Sequence, residues 1–257
     1  MSIFNDIIEK RINRAVGLTV YAGSDSVQYD VVILEKATDG DLVVVESQTV
    51  HDDQRLKDWL SEYASGLPVM WGVEGKQVLV KLYASEPVMA YEDVMKAILP
   101  NAKPEQFILN ASYENGHYYC SLIREDTFQS ITEGLLGLQL NLYKGFVGPV
   151  GLIPLREYII GRQRSPSYEM GRHQFSETDG VITHINRKAT DDQTAQGNLL
   201  NLSPAFLNSF GYASMFFTGS YNDLLITETP ADEELPTEFV QKKLHKPFLY
   251  TSVTVLL

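Results

Sequence analysis

GLTVYAGSDSVQYDVVIL, Gly17 to Leu34, holds two β-rich runs on either side of a small glycine-centred turn. Leu18, Val20 and Ala22 alternate with more polar neighbours, and Val27, Tyr29, Val31 and Ile33 do the same. Successive strand residues point to opposite faces, so this period of two predicts a β-hairpin with one buried face. Gly23 supplies backbone angles that residues with a Cβ avoid. Ser24 and Ser26 put hydroxyls beside the amides of the turn, and convergent N–H and hydroxyl groups can hold a phosphate. Taken alone, the stretch reads first as an ordinary serine-rich hairpin turn.

The rest of the chain bounds what that hairpin can belong to. There are 257 residues, 44% hydrophobic and 21% charged, enough for one large domain or two modest ones with a real core. The formal charge of −12 argues against nonspecific binding to nucleic acid or to anionic membranes, both of which want a basic surface. Arg162, Arg164 and Arg172 form a candidate local basic patch, though scattered solvated charges explain them more simply. The single cysteine, Cys120, permits no intramolecular disulfide and suits burial within HYYCSLI. The opening MSIFNDIIEKRINR lacks the apolar run of a signal peptide, and no stretch approaches the ~18 apolar residues of a membrane span. The final TSVTVLL reads as a last strand, or as the end of the soluble part of something longer.

Working outward, residues 3–13 predict a short amphipathic helix before the hairpin. Asp39-Gly40 predicts a turn into a third strand, DLVVVESQTV. Asp52 or Asp53 caps a helix to about Ala64, with Leu56, Trp59, Leu60 and Tyr63 as its apolar face. LPVMWGV and QVLVKLY are strands joined at Gly75-Lys76, and Tyr91–Ile98 a short helix. QFILNASY and HYYCSLI flank Asn115-Gly116, a strong hairpin signal. Glu125 to Leu140 reads as a helix, NLYKGF as a strand, and VGLIPLREYII as a helix that Pro154 bends. A boundary falls near 160–166. Beyond it, SYEMGRHQF and VITHINRK predict a third hairpin through Asp179-Gly180, with His173 and His184 able to face each other. Ala189–Asn198 reads as a surface loop, Ser203-Pro204 caps a helix to Phe210, and ASMFF, DLLIT and KPFLYTSVTV are separate apolar pieces.

Familiar catalytic signatures are missing. Gly75-Lys76 lacks the spacing and the Ser or Thr of a P-loop. No GxGxxG or GxSxG occurs, and the five histidines lack metal-ligand spacing. The two tryptophans and fourteen tyrosines fall mostly on apolar phases, which favours core packing over base stacking.

The first half resembles the actin-like ATPase fold, in the variant of the pilus protein PilM and the type II secretion protein GspL. VYAGSDSVQYDVVIL looks like the phosphate hairpin of that family, whose usual form is Asp-x-Gly-Ser-x-Ser-Val. The run from LPNAKPEQF through EDTFQSITEGLLGLQL to NLYKGFVGPVGLIPL looks like its inserted subdomain. The resemblance implies a mixed α/β fold with actin-like, ribonuclease H-like duplicated lobes. It places a first lobe at 1–160, carrying an inserted α+β subdomain at about 85–145, and a reduced second lobe at 161–257. It departs where the motif matters: Tyr21 stands in place of the hairpin aspartate, Gln28 in place of a lysine, and ETDGVITHINRK lacks the spacing of a second phosphate hairpin. The resemblance with these losses implies a noncatalytic scaffold of a type II secretion or type IV pilus-like platform, at the cytoplasmic face of the inner membrane. Its partners would be platform proteins, a motor ATPase among them, or a second copy of itself. Membrane association would come through partners or a segment beyond Leu257, and no cofactor or metal is expected. The alternative is an ATPase or kinase that binds ATP and magnesium, with Gly23, Ser24 and Ser26 on phosphate and Asp25 or Asp179 near the metal. An unrelated α/β interaction domain is the third reading.

Overall fold

A computed structural model of the chain describes residues 12–22, 27–85, 88–156, 166–187, 202–220 and 224–226. β1 (Arg14–Ala22) pairs antiparallel with β2 (Gln28–Lys36), with Leu18 opposite Val31 and Val20 opposite Tyr29. β3 (Leu42–Val50) continues the meander on the outer side of β2. A strand parallel to β1 needs a crossover, and helix α1 (Asp53–Tyr63) supplies it. Asp52 caps that helix by accepting the Arg55 N–H at 2.8 Å, and Leu56 and Leu60 are its buried face. β4 (Val69–Gly75) then lies parallel to β1.

Between β4 and the sheet's last strand the chain leaves and returns. At Gly75 the backbone takes φ +128°, and a Cβ there would run into the Ala22 carbonyl. β5 (Leu79–Ala84), α2 (Tyr91–Ile98), β6 (Phe107–Glu114) and β7 (His117–Arg124) follow. β5, β6 and β7 form a second, antiparallel sheet, against which α2 buries Val94, Met95 and Ile98. So β4 and β5, neighbours in sequence, belong to different sheets. α3 (Glu125–Gly137) comes back to the first sheet, where Phe128 stacks on Trp71 at 4.9 Å. β8 (Leu142–Val147) completes the order β3-β2-β1-β4-β8. The class expected from the sequence is the class observed: mixed α/β with several sheets.

The second half departs from expectation in three places. VGLIPLREYII was expected as a helix; Gly148–Leu155 is a 3-10 segment in which Pro149 leaves helical angles (φ −77°, ψ 16°). SYEMGRHQF is two strands, β9 (Ser167–Met170) and β10 (His173–Thr178), because Gly171 at φ +61° turns the chain. With β11 (Val181–Arg187) they form a three-stranded meander. Its register sets His173 against Arg187 and His184 against Ser176, so the expected histidine pair does not form. Finally, ASMFF is the continuation of helix α4 (Leu207–Thr218), entered through a 3-10 turn at Pro204–Phe206. Ten of the twelve α4 residues are buried, the pattern of a core helix rather than of a surface amphipathic one. β12 (Leu225–Ile226) adds to the edge of the second sheet beside β6. The readings made for 3–11, 23–26, 157–165, 188–201 and 227–257 lie outside the described residues, Arg162 and Arg164 included.

α4 explains a further correction. The opening hairpin was expected to bury one face, yet seven consecutive β1 residues are buried. On one face Val16, Leu18, Val20, Val31, Ile33 and Trp71 pack beneath α1 and α3. On the other, α4 crosses β1, β2 and β4. A strand in a doubly covered sheet loses the distinction between an inner and an outer phase.

Candidate functional site

The polar phase of the opening strands is the one that α4 covers. Gly17, Thr19 and Tyr21 of β1, Asp30 of β2, and Gly72 and Glu74 of β4 share that face by strand alternation. Thr19, Asp30 and Glu74 are all buried. The glycines let the helix approach: a Cβ on Gly17 would overlap the Ser209 carbonyl, and one on Gly72 would fall 2.5 Å from the Tyr212 hydroxyl oxygen. Ser209 donates to the Asp30 carbonyl at 2.6 Å, so its 2.7 Å contact with Thr19 leaves the threonine as donor. The Tyr212 hydroxyl donates to the Gly148 carbonyl at 2.6 Å.

At the Tyr21 end of these strands the Gly171-Arg172 turn lies over them. The Arg172 guanidinium lies 3.7 Å above the centre of the Tyr21 ring, and its Nη2 is 3.6 Å from Asp30 Oδ2. The other Asp30 oxygen accepts from Thr49 at 2.7 Å and Gln28 at 3.3 Å. Beside them, Asn208 Nδ2 donates to Glu74 Oε1 at 2.8 Å. His173 Nε2 stands 3.6 Å from Glu74 Oε2, beyond hydrogen-bond reach. Burial pushes the Glu74 carboxyl up from 4.5 to about 8, against the opposing pull of Arg187 and Arg172. Burial, with Arg187 adding to it, pushes the His173 imidazole down to about 3. Near neutral pH Glu74 is therefore mostly protonated and His173 neutral, and the two are not an ion pair. Burial first and Asp30 second raise the Tyr21 phenol well above its ordinary range, so it stays uncharged.

The residues proposed from sequence fall as follows. Gly23, Ser24, Asp25 and Ser26 lie outside the described residues. Tyr21, two residues before Gly23, lies under Arg172 on the face that α4 covers. Arg172, read as part of a surface patch, is largely buried over that tyrosine. Asp179 is exposed at the opposite end of β10 from His173, about 17 Å of strand away. No group of three or more His, Cys, Asp or Glu side chains that could hold a metal occurs among the described residues. Sequence reading missed Glu74, Arg172, His173 and Asn208 as one constellation. Its only local trace is a glutamate closing the apolar run LPVMWGV.

A separate groove of about 640 Å³ opens on the α3 side of the first sheet. Val20, Ala22, Ile131 and Leu135 are its apolar lining, and Asp53 and Asp126 add charge. Asp53 accepts from the Tyr29 hydroxyl at 2.6 Å, and Asp126 sits 3.5 Å from Arg124, another lining residue. Among the described residues no helix is long and apolar enough to cross a membrane.

No family model and no curated protein matches the chain. Solved structures do. The chain is similar to the cytoplasmic domain of EpsL, an inner-membrane component of the type II secretion system of Vibrio cholerae, at 12% identity and a TM-score of 0.41, covering 67% of this chain and 71% of that one. It is similar to a chain of the PilM-PilN type IV pilus biogenesis complex at 13% identity and TM-score 0.49, over 81% and 72%. It is also similar to a Bacteroides thetaiotaomicron protein of actin-like ATPase fold and unknown function, at 14% identity and TM-score 0.43, over 72% and 74%.

Proposed function

We propose that this chain is a noncatalytic scaffold domain that binds partner proteins of a type II secretion or type IV pilus-like assembly platform, on the cytoplasmic side of the inner membrane. The observation that carries the noncatalytic reading is the Arg172–Tyr21 contact. A site for a metal-bound triphosphate wants carboxylates around the ion and free donors around the phosphates. Here a neutral phenol stands where nucleotide-binding members of the resembled family carry an aspartate, and the chain's own guanidinium lies over it. The neighbouring carboxylate, Asp30, is engaged by Thr49, Gln28 and Arg172. A nucleotide would have to displace these contacts.

The open feature is the groove, and it suits an extended segment of a partner protein. Among the described residues its charged lining is two acids, Asp53 and Asp126, against one base, Arg124, in a chain of formal charge −12. That balance favours a segment with apolar side chains and a basic residue. The test has two arms. Calorimetric titration with magnesium-ATP gives no binding heat. Separately purified platform proteins encoded beside this chain are assayed against the wild type and Ile131→Arg; at least one binds, and the substitution abolishes it. Tight magnesium-ATP binding that is lost on Ser24→Ala or Ser26→Ala would overturn the reading in favour of an ATPase or kinase.

A further inference from the structure

Glu74 is a buried carboxyl contributed by the first half of the chain, and residues of the second half close around it. Asn208 and Tyr212 come from α4, Arg172 and His173 from the β9–β10 turn, and Arg187 from β11. From its own half, Tyr21 faces it, with Asp30 beyond. Among the described residues its side-chain hydrogen bond is the one from Asn208. Asn208 Oδ1 and His173 Nδ1 are buried with no hydrogen-bond partner among the described residues, so the seam holds polar atoms that water would satisfy if it opened.

We propose that Glu74 is a proton-operated latch between the two halves of the chain: protonated, it lets Asn208 and the Arg172-His173 turn close on the first sheet; ionised, it loosens them. The proposal does not depend on what the groove binds. Its pH window follows from the two shifted groups. Glu74 holds its proton more tightly closed (about 8) than open (4.5), so its contribution is complete below 4.5 and is lost as pH rises to 8. His173 is the reverse: neutral when closed, with a value of about 3 against 6.5 when open, it contributes fully above 6.5 and loses that as pH falls to 3. Between 4.5 and 6.5 the two slopes cancel. From pH 6.5 to 8 Glu74 dominates, but it is already half ionised in the closed form at pH 8, and the residual His173 slope opposes it near 6.5, so the opening equilibrium rises about eightfold.

Amide hydrogen exchange, corrected for base catalysis, is measured at pH 6.5 and 8.0 for the β9–β10 turn and the first turn of α4. The wild type is compared with Glu74→Gln, which keeps the shape and the acceptor for Asn208 but cannot ionise. The wild type shows the roughly eightfold rise in opening, and the variant shows no rise. Equal pH dependence in the two proteins overturns the latch. Should the variant fail to fold, the wild type still decides: a seam no more labile at pH 8 than the β6–β7 hairpin overturns it, and selective loosening of the seam supports it.

Discussion

If α4 is welded to the first sheet, Gly72 and Tyr212 must be energetically coupled although 140 positions separate them. The Tyr212 ring is fully buried, stacked on Phe146 at 5.4 Å with 4° between the planes. Gly72 and Gly151 both abut it, and a Cβ on Gly151 would sit 2.8 Å from Tyr212 Cδ1. A methyl at Gly72 therefore cannot be absorbed by a small slide of the ring. Overpacking costs about 1–3 kcal/mol. Displacing the hydroxyl from the Gly148 carbonyl costs about 1–3 kcal/mol more, because that acceptor is left buried. Tyr212→Ala alone leaves a cavity and costs about 3–5 kcal/mol. In the double variant the added methyl enters vacated space, so Gly72→Ala costs close to nothing there. The expected coupling is about 3 kcal/mol, at the upper end for residues in contact. Urea unfolding of the four proteins, followed by circular dichroism, measures it. Additivity within about 0.5 kcal/mol would refute the packing argument and, with it, the claim that the second half seals the first sheet.

Two further outcomes test other parts of the interior. Arg156 donates to Glu114 and to the Gly180 carbonyl and lies 3.8 Å from Glu177, so it joins the second sheet to the third. Arg156→Met leaves Glu177 buried without its cation and lowers stability by about 3–5 kcal/mol, and adding Glu177→Gln recovers part of the loss in urea unfolding. Cys120 is fully buried, and burial pushes its thiol up to about 12. A colorimetric disulfide reagent at pH 8 therefore leaves the native protein unlabelled and titrates one thiol after denaturation; fast native labelling would mean that β7 is not packed as described.

Much of the local structure was legible because its causes are local. Alternation and the turn residues predict the hairpin of β1 and β2 and that of β6 and β7, and an aspartate cap with Leu56 and Leu60 one turn apart predicts α1. The glutamate that follows LPVMWGV was visible but had no reason to stand out. What sequence could not supply is contact between distant segments. Thr19 meets Ser209 across 190 positions and Asn208 meets Glu74 across 134, and these contacts turn a polar strand phase into a buried seam. Nothing beside Gly171 says that SYEMGRHQF must fold on itself to bring Arg172 over Tyr21. The amino-acid order by itself determined which segments are strands and which are helices over most of the first half, since backbone preference and periodicity act within a few residues. Only the tertiary structure decided that the first sheet is covered twice, and that Tyr21, standing where the resembled motif has an aspartate, lies under the chain's own arginine, because burial is a property of the whole assembled chain.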